Sequence, residues 1–250
     1  MKRWLLPLML LHAVPAGAVD AYYETYAAGV NVIDVDAQFD IRADGYRILL
    51  DYRTVGAMNL VMGGRQRFTV EGRFTNDRPV PSRFYSAGTL RGDPRVTQID
   101  YPTGQPQVRQ LVPPNDSERE PVPPERQADT VDTLSAMAAL LRRVSGTGRC
   151  DGQSSTFDGR RLATLQARTV GNEVLPATGR SSFAGPALRC DFVGRQTGGF
   201  MLGEDRDRLQ RPQEGSAWFA TVGGVLTPVR MSFRTRWFGD AVMYLATRPR

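Results

Sequence analysis

The sequence predicts a mainly β protein: a large curled antiparallel sheet, in the form of a half-open barrel or β-spiral, packed around one main α-helix. Three observations predict it. Within 31–42, apolar and polar residues alternate from Ile33 to Arg42, and the same rhythm recurs through most of the chain. Glycine (25 residues) and proline (17) punctuate the 250-residue chain often enough for many turns and few long helices. Only one segment, 130–144, repeats its apolar residues at helical spacing. An antiparallel sheet with one wet face curls because strands twist, and a helix placed mid-chain is positioned to fill the curl.

The first element is an address. Lys2 and Arg3 are basic, Trp4 to Val14 is an apolar run, and Ala16-Gly17-Ala18 is a small-x-small cleavage pattern. Residues 1–18 therefore read as a secretory signal peptide. The run is shorter than the roughly 20 residues that span a bilayer. The expectation is a periplasmic protein with residues 19–250 forming one β-rich domain and no later transmembrane segment.

Strands follow. Over 31–42, Ile33, Val35, Ala37, Phe39 and Ile41 share one face, opposite Asp34, Asp36, Gln38, Asp40 and Arg42. Asp44-Gly45 turns the chain, and Tyr46, Ile48, Leu50 and Tyr52 alternate after it, which predicts a hairpin. Gly63-Gly64 marks the next turn, after which Phe68, Val70 and Phe74 alternate with charged and polar neighbours. Weaker strands are expected near 83–87 and 95–101. Residues 102–128 hold seven prolines (Pro102, Pro106, Pro113, Pro114, Pro121, Pro123 and Pro124), so an extended crossover loop is expected there. The helix comes next. Asp129 or Thr130 can cap it, Val131, Leu134, Ala138 and Leu141 form its stripe, Met137 and Leu140 widen it, and Gly146 can end it. Strand patterns resume at 161–170, 187–193, 218–222, 228–236 and 241–247, giving about twelve strands in all.

Beyond residue 18 the chain has neither histidine nor lysine, and all its positive charge is arginine. That excludes Ser-His-Asp and Cys-His catalysis, the usual zinc and copper sites, Schiff-base chemistry and the P-loop. Carboxylate, arginine, tyrosine and backbone chemistry remain, and no metal or other cofactor is expected. The net charge of +6 is spread along the chain, which argues against nucleic acid as a partner. Cys150 and Cys190 are an even pair, which in an oxidising compartment predicts one disulfide. It would close a loop of about 41 residues, worth roughly 4 kcal/mol in the chain-entropy model.

Several segments, in order, carry a resemblance: Tyr26-Ala27-Ala28-Gly29-Val30, Tyr46 with Thr54-Val55-Gly56, Pro81 before Arg83-Phe84-Tyr85, Asp132-Thr133-Leu134-Ser135-Ala136, Phe157-Asp158-Gly159-Arg160-Arg161 and Pro228-Val229-Arg230. Their order resembles the bacterial envelope family known as domain of unknown function 3108, over most of residues 19–250. The resemblance implies a secreted, β-rich protein and brings no catalytic motif. The architecture is also similar to the lipoprotein carriers LolA and LolB, a curved sheet over a helix. The Cys150/Cys190 pair resembles a feature of one branch of the family.

Other constellations have plainer readings. Asp34, Asp36 and Asp40 suggest a calcium loop, but the loop would need glycine where Phe39 stands, so a solvated strand face is expected. Residues 204–208 (Glu-Asp-Arg-Asp-Arg) read as a charged loop rather than a carboxylate pair for glycoside chemistry. Arg230, Arg234 and Arg236 read as a solvated, protected edge rather than a site for lipid head groups. Trp218, Phe219, Trp237 and Phe238 read as core. The functional expectation is a non-enzymatic protein that binds a lipophilic molecule or a lipidated partner in the concave face of its sheet. Its candidate lining is Ile33, Val35, Phe39, Leu134, Met137 and Leu141. The alternative is a structural or protein-interaction module of the envelope with a filled core and the 102–128 loop as its contact. A hydrolase using carboxylates alone is the third reading.

Overall fold

The computed structural model describes residues 18–235 and 239–249. Residues up to 17, within the segment read as a signal peptide, and Arg236, Trp237 and Phe238 lie outside the described residues. The strands are β1 (Val19–Ala27), β2 (Val30–Ile41), β3 (Gly45–Thr54), β4 (Gly64–Thr75), β5 (Arg78–Leu90), β6 (Asp93–Asp100), β7 (Gln107–Val112), β8 (Gly152–Phe157), β9 (Leu162–Leu175), β10 (Gly185–Gly198), β11 (Gln213–Val222), β12 (Val225–Thr235) and β13 (Gly239–Ala246). The helices are α1 (Gly56–Met62), α2 (Pro124–Gln127), α3 (Thr133–Thr147) and α4 (Arg206–Leu209).

All these strands form one 13-stranded sheet in the order β7-β6-β5-β4-β3-β2-β1-β13-β12-β11-β10-β9-β8. Every neighbouring pair is antiparallel. The chain lays down one meander from β1 outward to β7. It then crosses with α3 to the far edge and returns from β8 to β13, which pairs with β1. The sheet is not closed into a barrel, since β7 and β8 are its two edges. The half-open sheet around one principal helix is the architecture read from the sequence.

The period-2 face of the first half makes the core. Phe39, Ile48, Val70, Phe84 and Ile99 stand opposite one another on five consecutive strands. All five are buried beside Leu134, Ala138 and Leu141 of α3. Burying each large side chain is worth about 1.5–3 kcal/mol, so this row holds the helix in place. Tyr23 extends the core by donating its hydroxyl to the Pro228 carbonyl at 2.9 Å, which links the two halves of the sheet.

Several expectations are corrected. The stretch 102–128 is not all loop: β7 occupies Gln107–Val112. Prolines bracket this strand at 106 and 113 without interrupting it, and as an edge strand it needs only one set of partners. The main helix begins at Thr133, not 130. Asp132 caps it, accepting from the Ser135 N–H at 2.9 Å, and Gly148 ends it with φ 65° in place of Gly146. A carboxylate one residue before the first turn satisfies an orphan amide better than residues 129 and 130 can at their distance. β1 and β8 were not read from the sequence. β1 has tyrosines on both faces, Tyr23 inward and Tyr22 and Tyr26 beneath Arg248 and Arg180, so it shows no alternation. Asp34 is buried rather than solvated, accepting from Asn31 and Arg53, both at 2.8 Å. β12 is an interior strand, so Arg230 and Arg234 guard no edge. Arg230 lies instead over the rings of Trp218 and Tyr244. The 204–208 segment starts α4, with Asp205 as its cap and Arg206 paired to Glu120 at 2.6 Å.

A turn bridges the opening that strand pairing leaves. Asp158, after β8, accepts from the N–H groups of Arg160 and Arg161 at 2.9 and 2.7 Å. This aims the Arg160 guanidinium at the carbonyls of Val112, the last residue of β7, and Pro113, 2.8 Å from each. Glu118 completes the clasp between Arg95 (2.7 Å) and Arg160 (3.4 Å). Gly159 has φ 89°, and a Cβ there would lie 2.7 Å from Cγ2 of Thr97 in β6. Only glycine permits that approach.

Candidate functional site

The second half of the sheet is built from smaller residues than the first. In register, Leu165, Gly194 and Gln213 form one row. Ala167, Phe192, Gly215 and Phe233 form the next, and Cys190, Ala217 and Met231 the third. Glycine and alanine at 194, 215, 167 and 217 leave space where the first half places Phe39, Ile48, Val70 and Phe84. The helix turns different faces to the two halves. Leu134, Ala138 and Leu141 face the filled half, while Thr133, Ala136, Met137 and Leu140 face the other.

Between them lies a cavity of about 410 Å³. Met137, Leu140, Leu165, Phe192, Phe219 and Met231 form most of its apolar wall. Phe233, Arg143, Gln213, Glu214 and Arg234 are exposed at its rim. An apolar hollow with a few charges at its mouth matches in chemistry the two ends of an amphiphile. Arg143 is fixed there, donating to the Asp151 carbonyl at 2.7 Å.

Of the residues read from the sequence as lining, Met137 alone borders this cavity. Phe39, Leu134 and Leu141 are in the filled core, and Val35 packs against it. Ile33 belongs to a small separate cluster with Ala27, Val32 and Ala241. Sequence reading missed Leu165, Ala167, Phe192 and the glycines. The signal available was the small residues at 167, 194, 215 and 217, which share the inward face. Cys150 and Cys190 form the expected disulfide, with Cα atoms 6.2 Å apart, and Cys150 borders the cavity. Asp151 beside it accepts from the Thr169 hydroxyl at 2.6 Å and N–H at 3.1 Å, and its carboxyl is drawn down to about 2 by those bonds.

A second polar cluster sits at the start of α3. The Asp132 carboxyl is wholly buried, and burial pushes it up to about 6 against the opposing bonds from Ser135. The Ser135 hydroxyl donates to Asp132 at 2.5 Å and accepts from the Tyr46 hydroxyl at 2.8 Å. Burial also pushes the phenols of Tyr46 and Tyr101 up, and the nearby Asp132 charge adds to it. Ser135 has no exposure, and the cluster anchors the start of the helix. Among the described residues no group of three or more histidine, cysteine, aspartate or glutamate side chains is arranged to hold a metal. Among them, too, no helix is long and apolar enough to cross a membrane.

Three comparisons bear on this architecture. A family model described as "Protein of unknown function (DUF3108)" matches residues 19–246. No curated protein matches the chain. A crystal structure of a beta-barrel-like protein of domain of unknown function DUF1849 from Brucella abortus is similar in fold, with TM-score 0.51 at 10% identity, covering 91% of this chain and 95% of that one.

Proposed function

The chain belongs to the DUF3108 family of unknown function, and from that premise we propose that it is a non-enzymatic periplasmic protein that binds a lipophilic molecule, or the acyl chain of a lipidated partner, between α3 and strands β9 to β12. The cavity of about 410 Å³ is the observation that carries the reading. Its size suits one hydrocarbon chain or a compact lipophile. The disulfide fits an oxidising compartment, and the pattern of residues 1–18 supports export. Asp132 is engaged in capping α3 away from the cavity, which speaks against a carboxylate hydrolase here.

The test is native mass spectrometry of the protein taken from periplasm, followed by organic extraction and uptake of a fluorescent fatty acid. A co-purifying lipid at near one-to-one amount, displaced by the probe, supports the reading. A clean unliganded mass with no uptake sinks it and favours an envelope interaction module.

A further inference from the structure

The β3–β4 connection carries an unusual helix. α1 is seven residues long and buries none of them. Residues 56–63 (Gly-Ala-Met-Asn-Leu-Val-Met-Gly) contain no charge. Leu60 is 88% exposed and Val61 73%, with Met62 beside them. Large apolar side chains presented together to water signal a contact surface.

This prong is held firmly. Val55 N–H donates to the Val32 carbonyl at 3.0 Å, and Arg91 N–H to the Gly63 carbonyl at 2.6 Å. The Thr54 hydroxyl accepts from Gly64 N–H at 2.8 Å. Met58 alone turns inward, packing on the cluster of Ala27, Val32 and Ala241. The fold thus fixes one side of the helix and leaves Leu60, Val61 and Met62 facing out. Val30, 57% exposed, begins β2 just after the β1–β2 turn.

The surroundings are basic. Arg53, Arg65 and Arg91 line the shallow depression beside Leu60 and Val61. Arg53 pairs with Asp34 and Asp36, whereas Arg65 and Arg91 have no acidic partner among the described residues. An apolar tip inside a basic collar matches the layered chemistry of an anionic bilayer surface. The apolar residues enter the acyl boundary while the guanidinium groups meet lipid phosphates. We infer that α1, with Arg65 and Arg91, is a docking prong for an anionic membrane surface. The antiparallel order puts α1 at the same end of the strands as Gln213, Phe233 and Arg234 of the cavity rim. The inference stands without any ligand in that cavity.

The experiment is flotation of the full chain from residue 19 with vesicles of phosphatidylcholine alone or with about one-third phosphatidylglycerol. Binding is expected to the anionic vesicles only and to weaken with salt. Leu60→Asp with Val61→Asp is expected to lower it by at least about tenfold, and Arg65→Gln with Arg91→Gln by about thirty-fold, as two basic charges near an anionic surface imply. A Leu60→Trp variant reports insertion by a blue shift and by quenching from brominated lipid, and circular dichroism checks the fold of every variant. No binding to anionic vesicles overturns the inference. So does binding that all the substitutions leave unchanged, or a prong that captures a protein partner without lipid. Loss of fatty-acid uptake with vesicle binding intact would refute the cavity reading alone.

Discussion

The Tyr46 hydroxyl donates to Ser135 Oγ at 2.8 Å, a bond that joins β3 to the first turn of α3 across 89 residues of sequence. Ser135 passes the interaction to Asp132, so the register of the helix on the sheet is set by three buried polar groups. Tyr46→Phe is expected to cost about 1–2 kcal/mol, because Ser135 loses a buried donor partner. Gly72→Ala should cost more, since a Cβ there would lie 2.4 Å from the Tyr46 hydroxyl oxygen. Urea unfolding of both variants checks the order.

Asp132 gives the helix cap a pH signature. Its carboxyl rises from the ordinary 3.8 to about 6 on folding, so between those values the folded state binds more proton than the unfolded one. Stability from this group is fully present below the unfolded value and is lost as pH rises through about 6, by at most about 3 kcal/mol. Arg-paired carboxylates such as Glu118 and Asp100, held below their usual range, act in the opposite direction in acid. The difference between wild type and Asp132→Asn isolates the group. Unfolding from pH 4 to 7 should show the wild type losing ground to the variant, and a constant difference would refute the assignment.

The sheet and its helix were legible because alternation is strongest where one face is buried and the other wet, as at 31–42. The second half hid its site for a physical reason. A cavity is made by what is missing, and Gly194, Gly215, Ala167 and Ala217 carry no hydropathy signal of their own. Leu134 and Met137 belong to one apolar stripe in sequence, yet they face a filled half and an open half. Only the curl of the sheet separates those faces. β7 was hidden by flanking prolines, and Asp34 by a cross-strand arginine that periodicity does not reveal.

The clasp at the sheet opening makes its own prediction. Arg160→Met removes the bonds to the Val112 and Pro113 carbonyls and leaves Glu118 with Arg95 alone. A cost of about 1.5–3 kcal/mol is expected for bonds to a charged group. Hydrogen exchange should quicken across Gln107–Val112 more than in β3 or β4. Uniform exchange over the sheet would show that the turn does not hold the edge.

Cys150 and Cys190 are fully buried, so the native disulfide is expected to resist reductant until the protein opens. Replacing both by alanine should destabilise by about 2–4 kcal/mol, chiefly by freeing the unfolded chain. Thiol alkylation before and after denaturation, with the urea midpoint of the double variant, tests both parts. Two reactive thiols in the untreated native protein would contradict the bond.

The cavity itself is tested by filling it. Ala167 stands between Gly152 and Phe192 in the sheet, with its methyl toward Met137 and Leu140 across the open space. Ala167→Phe places a ring where a ligand chain would run. In a packed core such an enlargement costs about 1–3 kcal/mol, but a real void accepts it within about 1 kcal/mol. Retained stability with fatty-acid uptake abolished is the expected pair of results. Strong destabilisation would mean that the space closes in solution, and full uptake in a stable variant would place the ligand elsewhere. Met137→Ala, which widens the same cavity from the helix side, should keep uptake at a stability cost below the roughly 2–5 kcal/mol of a fully buried methionine, because Met137 is half-buried. Uptake lost in one variant and kept in the other, at one cavity, is a pair of results that a generally damaged fold would not give.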